Sequence, residues 1–210
     1  MSNYNDDLKW RYATKKFDAA KKLEESKLET LLDSIQLSAS SYGLQPYEVL
    51  VIKDEDIRKK LHPAAYEQPQ ILDASYLLVF TANTVIDEAY LDDYMENIVK
   101  TRSMKKEDLS GMKDMIMNAV ISQSNEAKIE WAKKQAYLAL GNLLSSAAYH
   151  KIDVCPMEGF DASQFNEILE LKDKNLDTAV IATVGYRSEE DALQNAPKVR
   201  KPKEKLFHRL

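Results

Sequence analysis

No charged side chain occurs between residues 136 and 149, and this stretch constrains the fold more than any other. Leu138, Ala139, Leu140, Leu143, Leu144, Ala147 and Ala148 are not confined to one helical stripe. A helix that is apolar nearly all round is buried on most sides. A helix of about 20 residues here would run about 30 Å, the width of a small domain. Its exit is distinctive. A short apolar strand over 152–155 meets Pro156, Met157, Glu158 and Gly159, then Phe160. A strand that stops at a proline and passes a glycine is set up to turn backbone N–H groups toward a ligand. A chain of 210 residues has limited means of covering such a helix, so a partner subunit is expected to complete its burial.

The remaining elements follow from spacing. Helices are predicted over 5–12, with Asn5 as cap, and over 26–38, 54–61, 125–149 and 161–170, the last capped by Asp161. Residues 84–123 are amphipathic and rich in Met and acids. They predict two helices, with Ser110 and Gly111 inside or between them. Strands are expected over 47–53, 76–82, 152–155 and 179–186, the second buried on both faces by its unbroken apolar run. Residues 64–70 read as a loop and 188–210 as an extended polar tail. No repeat or linker divides the chain, which reads as one α+β domain, residues 1–210, around a four-stranded sheet.

Composition removes several classes of function. Hydrophobic residues are 44% of the chain and charged residues 30%, which rules against disorder. A net charge of −5 gives no reason to expect nucleic acid as a partner. No apolar run of about 18 residues is present, so no transmembrane helix is expected. The polar, acidic start does not read as a signal peptide. The single cysteine, Cys155, permits no internal disulfide and points to a reducing, cytoplasmic setting. In its apolar strand it reads as a buried, inert thiol. Glycine patterns of dinucleotide-binding folds and P-loops are missing. His62, His150 and His208 are isolated, so no metal site is expected.

Four constellations carry chemistry. Arg11 and Lys15 face the same way if their segment is helical. Lys198 and Arg200 point to one side of an extended chain. Either pair suits a phosphate or carboxylate, or is a solvated basic surface. Ser38, Ser40 and Ser41, ahead of Gln45 and Pro46, suit a polar ligand or ordinary capping and turn chemistry. The amides of Gln68 and Gln70 can read a heterocycle's donors and acceptors, or sit in a plain loop.

Taken in order, these pieces resemble the nitroreductase family of FMN-dependent, NAD(P)H-oxidising homodimers. The resemblance rests first on residues 11–18 (RYATKKFD), on 38–41 with Gln45 and Pro46, and on Leu72-Asp73-Ala74-Ser75 before a strand. It continues through Glu130-Trp131, Tyr137-Leu138 and Gly141-Asn142, then residues 156–161 (PMEGFD). Val184-Gly185-Tyr186 and Pro197-Lys198-Val199-Arg200 complete it. Each motif alone is weak, and their ordered combination covers nearly the whole chain.

The resemblance implies a nitroreductase-like α+β fold: a mixed or antiparallel four-stranded sheet among helices, a fifth strand added by the partner's C-terminal arm, in an intertwined homodimer. It implies a reductase that takes hydride from NADH or NADPH onto FMN and then reduces a nitroaromatic or quinone, in ping-pong fashion. Arg11, Lys198 and Arg200 would hold the FMN phosphate, with Tyr12 and Ala13 beside them. Lys15 would stabilise negative charge at the pyrimidine edge of the reduced ring. Gln70, with Glu67 or Gln68, would contact the ring's polar edge. Ala39 would also contact the cofactor, and Ser40 and Ser41 would come from the other subunit. Pro156, Met157, Glu158 and Gly159 would bring backbone to the hydride-accepting nitrogen. No side chain is implied as catalytic acid or base, because the flavin carries the chemistry.

This chain departs from the family pattern at several positions. Ala13 stands where Ser is common, Tyr12 where His or Arg is frequent, Ala39 where Pro is, Glu67 where Asn is, and Gln70 where Lys is. A missing Lys beside the ring is expected to make the flavin harder to reduce, with Lys15 remaining. The same fold also suits a dihydropteridine or enone reductase, its substrate decided within 88–125, or a non-enzymatic flavin carrier.

Overall fold

The structure, a computed structural model, describes residues 3–210. Four strands form one sheet: β1 (Tyr47–Ile52), β2 (Tyr76–Asn83), β3 (Asp153–Met157) and β4 (Leu176–Gly185). Their order is β1-β2-β4-β3, and every neighbouring pair is antiparallel. The expected mixed or antiparallel sheet is therefore antiparallel. β2 and β4 fill its centre, which is why residues 76–82 read as apolar without alternation.

Alternation along each strand divides the core into two layers. Tyr76, Leu78, Phe80, Val180, Ala182, Val184 and Val154 face α2 (Glu25–Gln36) and α7 (Asn125–Tyr149). Leu77, Val79, Ile181, Cys155 and Met157 face the other way, onto α3 (Glu55–Ala64), α4 (Gln70–Asp73) and α8 (Ala162–Ile168). Cys155 is a buried free thiol, as its apolar surroundings predict.

α7 supplies Ala136, Ala139, Leu140, Leu143 and Ala147 to the first layer. Burial on most sides is not what a single chain achieves. Tyr137, Leu138, Gly141 and Asn142 lie on an open stripe, with Leu138 53% exposed. The sheet and α2 cover only one side of a cylinder. Leu37, just past the end of α2, is 82% exposed.

Several boundaries differ from the spacing-based ones, each for a local reason. The first helix, α1, is Tyr4–Trp10, and Asn3 rather than Asn5 is its cap, accepting from the Asn5 N–H. Residues 64–70 are not simply a loop: α3 continues through Pro63 to Ala64, and Gln70 opens α4. Residues 84–123 break at Ser103, which takes a left-handed conformation after α5 (Glu88–Arg102). Ser110 and Gly111 then open α6 (Ser110–Ile116), and one π-helical turn, Met117–Ile121, follows. The polar tail contains a short turn at Ala192–Asn195 and the helix α9 (Lys203–Leu206). β3 does not stop at Pro156: it runs on through Met157, paired to Ala182 and Ile181. Proline lacks a ladder donor but is tolerated on an edge strand, and β3 is an edge.

Candidate functional site

The segment after α1 lies beside β3, joined by a parallel bridge between Ala13 and Val154. Two buried carboxylates fasten it. Asp153 Oδ1 accepts from Arg187 Nε at 2.8 Å, and Asp153 Oδ2 accepts from the Arg187 N–H at 2.9 Å. The Arg187 guanidinium lies 4.1 Å from the Trp10 ring centre and 4.6 Å from that of Tyr12. Asp191 Oδ2 accepts from the Tyr12 hydroxyl at 2.9 Å and from the N–H groups of Lys15 at 2.8 Å and Lys16 at 3.0 Å. Burial pushes the Asp191 carboxyl up, but the N–H groups of Lys16, Leu193 and Lys15 and the Tyr12 hydroxyl outweigh it and hold it below its ordinary range. Burial first, and then the bond to Asp191, push the Tyr12 hydroxyl up.

This fastening fixes which groups remain free. The Tyr12 side chain is committed to Arg187 and Asp191, and Lys16 to Glu190. Arg11, Lys15, Lys198 and Arg200 have no carboxylate partner among the described residues. Burial and the neighbouring Arg200 both lower the Arg11 pKa. Burial lowers that of Lys198, and then Arg11, Arg200 and Arg187 lower it further. The three cations expected to share one anion thus lie close enough to repel one another. Lys198 Nζ donates to the Lys9 carbonyl and Arg200 Nη1 to the Val199 carbonyl, so both hold backbone oxygens in place of an acid.

The Gln70 side chain reaches Cys155, and Lys15 and Arg11 are near enough to act on its charge. Burial raises the thiol's pKa, against the opposing pull of Lys15, the Gln70 side chain and Arg11, so it stays neutral. Gln70 is 3% exposed, and its Oε1 has no hydrogen-bond partner among the described residues. Ahead of it, Tyr66 and Glu67 both have φ of 54°. Two successive left-handed residues with side chains cost about 1–2 kcal/mol each. That strain presents Gln68, whose Nε2 donates to the carbonyls of Ala65 at 3.0 Å and Gly159 at 2.7 Å. Glu67 itself points outward, exposed.

The turn after β3 completes the arrangement. The Phe160 N–H donates to the Glu158 carbonyl at 3.0 Å, and Gln68 takes the Gly159 carbonyl. The Tyr137 hydroxyl takes Glu158 Oε1 at 2.6 Å. Both carbonyls of the turn are occupied, whereas the N–H groups of Glu158 and Gly159 have no partner among the described residues. Within one chain, Ser40 and Ser41 are held elsewhere, and Ala39 is exposed. Ser40 Oγ accepts from the Gln45 N–H at 2.9 Å, and the Ser41 N–H donates to Gln135 Oε1 at 2.8 Å. A concavity of about 830 Å³ under the C-terminal arm, lined by Lys203, Glu204, Phe207, His208 and Arg209, holds none of these groups.

Sequence reasoning missed Asp153, Arg187 and Asp191. The first two flank apolar strands and read as ordinary strand ends; Asp191 sits in a polar tail without periodicity. The Tyr137–Glu158 bond was equally illegible, since it joins residues from different elements.

A family model described as Nitroreductase family matches residues 8–186. A Staphylococcus haemolyticus protein provisionally named NAD(P)H nitroreductase is 36% identical over 210 residues, covering 94% of this chain and 93% of its own length. The crystal structure of ydfN from Bacillus subtilis, a provisionally named nitroreductase, superposes with a TM-score of 0.87 at 22% identity, over 99% of this chain and 98% of that one. A provisionally named nitroreductase from Exiguobacterium sibiricum, solved in complex with FMN, gives a TM-score of 0.87 at 19% identity, over 100% and 98% of the two chains.

Proposed function

This chain belongs to the nitroreductase family, and from that premise we propose that it is an FMN-dependent oxidoreductase. In this reading NADH or NADPH is its reductant and a nitroaromatic or quinone its acceptor. The observation that carries the reading is the turn at Glu158 and Gly159, where two free N–H donors lie at the end of the strand that also bears Cys155, with Arg11, Lys15 and Gln70 around that thiol.

The residues present fit FMN. Arg11, Lys198 and Arg200 are mutually repelling cations, which is the arrangement a phosphate dianion relieves. The orphaned Gln70 Oε1 is an acceptor suited to an N–H on the flavin's polar edge. When bound, FMN supplies hydride acceptance and donation. The protein's own work is to bind, orient and exclude water. Arg11, Lys198 and Arg200 would anchor the phosphate. Lys15, its backbone held by Asp191, would place a fixed cation beside the ring. The Glu158 and Gly159 N–H groups would face the hydride-accepting nitrogen. The buried Cys155 thiol would form part of the floor without exchanging a proton.

In this reading the active unit is a homodimer. The open α7 stripe and exposed Leu37 would be covered by a second copy, whose Ala39, Ser40 and Ser41 would complete each site. Reductant and acceptor would use that site in turn, in the cytoplasm. The test is the visible spectrum of the purified protein, then its bleaching by NADH and by NADPH without oxygen. A flavin spectrum bleached by either nucleotide supports the reading. A colourless protein that takes up no added FMN overturns it.

A further inference from the structure

We propose that Gln68 is a positioning residue that sets the polarity of the Glu158–Gly159 turn. A turn has as many carbonyls as N–H groups, so it presents donors to a ligand only if its acceptors are held away. In this protein each carbonyl has a holder. The Glu158 carbonyl takes the Phe160 N–H at 3.0 Å, a bond internal to the turn. The Gly159 carbonyl takes Gln68 Nε2 at 2.7 Å, from an element 91 residues away in sequence. Only the second bond fastens the turn to the rest of the molecule through its backbone.

The holder is itself held. Gln68 Nε2 also bonds the Ala65 carbonyl at 3.0 Å, at the end of α3. Tyr66 and Glu67 take φ of 54° to deliver it, a conformation side chains disfavour. The Glu67 N–H donates to the His62 carbonyl at 3.0 Å, and the Asp161 N–H to the Ala64 carbonyl at 2.8 Å. The end of α3 is thereby tied to both sides of the turn. A Cβ built on Gly159 would stand 3.4 Å from Gln68 Nε2, so the two residues are in contact. The strained 66–68 segment is a brace, and Gln68 is the point at which it bears on the site. Without its amide donor, the Gly159 carbonyl is free to rotate toward the space the N–H groups face, putting an acceptor where a donor stood.

The inference rests on the FMN reading for its functional consequence but not for its structural one, and the experiment separates them. Gln68→Leu removes the donor at similar length, and Gln68→Glu keeps the shape while replacing the donor by an acceptor. In the full-length protein as purified, the ¹H–¹⁵N resonances of Gly159 and Phe160 are expected to be single in the parent and shifted or multiplied in both variants. In the FMN-loaded protein, the single-turnover rate of flavin reduction is expected to fall about tenfold in both, with nucleotide KM and FMN Kd within about twofold. A residue that merely stabilises the fold would lower Tm without this split between kcat and KM. Unchanged resonances overturn the proposal whatever the protein binds. Changed resonances with an unchanged rate overturn its functional part. A parent that binds no FMN sinks the functional reading instead, while the resonances still decide the brace.

Discussion

The Tyr137 hydroxyl reaches from the middle of α7 to Glu158 Oε1 at 2.6 Å, joining the longest helix to the turn that follows β3. Burial first, and then the bond to Glu158, push the Tyr137 hydroxyl up to about 12. The raised value makes this a contribution that is complete below the ordinary tyrosine pKa of about 10 and disappears as pH climbs from about 10 to 12.

Tyr137→Phe is therefore expected to lower stability by about 1 kcal/mol or less, kept small because the pair is partly exposed. The difference in Tm between parent and variant should be constant from pH 7 to about 9 and should close by about pH 12. A difference that persists at the alkaline end would mean that the bond is not what stabilises.

Arg200→Ala is expected to weaken FMN binding about tenfold or more, since a charge-assisted bond is worth about 1.5–3 kcal/mol. The same change should raise, not lower, the Tm of the flavin-free protein at low salt. Arg200 there repels Arg11 and Lys198 and has no carboxylate partner among the described residues, its one bond being to the adjacent Val199 carbonyl. Fluorescence titration and melting curves at two ionic strengths measure both, and unchanged flavin retention would remove Arg200 from the site.

Asp191→Ala strips the acceptor from three backbone N–H groups, those of Lys15, Lys16 and Leu193, and from a hydroxyl, in a buried place. A cost of about 3 kcal/mol follows from leaving such donors unpaired. Because the folded-state pKa is depressed, the parent's advantage over Asp191→Ala is present above the ordinary Asp value of about 3.9 and is lost as pH falls below it. Urea unfolding at pH 7 and pH 3 reads the difference; an equal gap at both would sink the assignment.

Leu143 and Leu138 sit on opposite sides of α7 and should behave oppositely. Leu143 is fully buried against the sheet, so Leu143→Ala is expected to cost about 2–5 kcal/mol. Leu138 is exposed in one chain, so Leu138→Glu should leave monomer stability nearly unchanged and abolish the proposed dimer. Sedimentation velocity would show a parent dimer and a variant monomer. A variant that stays dimeric would place the interface elsewhere.

The layers of this fold were readable because periodicity records which side of an element is covered. The unbroken apolar run of β2 and the apolar stretch of residues 179–186 predicted strands of one sheet, and the uncharged reach of α7 predicted its core helix. Periodicity says nothing of bonds between elements. Pro156 looked like a stop because its lost donor was visible and the edge position that excuses it was not. Gln70 looked like loop because a one-turn helix has no repeat to detect. Arg11, Lys198 and Arg200 were found as cations, but the carboxylates that arrange their neighbourhood, Asp153 and Asp191, carry no pattern. Their meaning lies in which N–H groups they face.

The order β1-β2-β4-β3 bears on how the protein comes off the ribosome. β3 is made before β4 and, apart from the single bridge from Val154 to Ala13, pairs among the described residues with β4 alone, so most of Asp153–Met157 waits for its ladder partner until Leu176–Gly185 emerges. The sheet is then complete, but Asp191, Lys198 and Arg200 are still to come. Domains generally condense as their chain becomes available. A chain ending just past residue 186 would contain all four strands, with residues 11–16 lacking the acid that organises them. Scaffold precedes the proposed site in the life of each molecule, and in the FMN reading cofactor capture would be an event of the released chain.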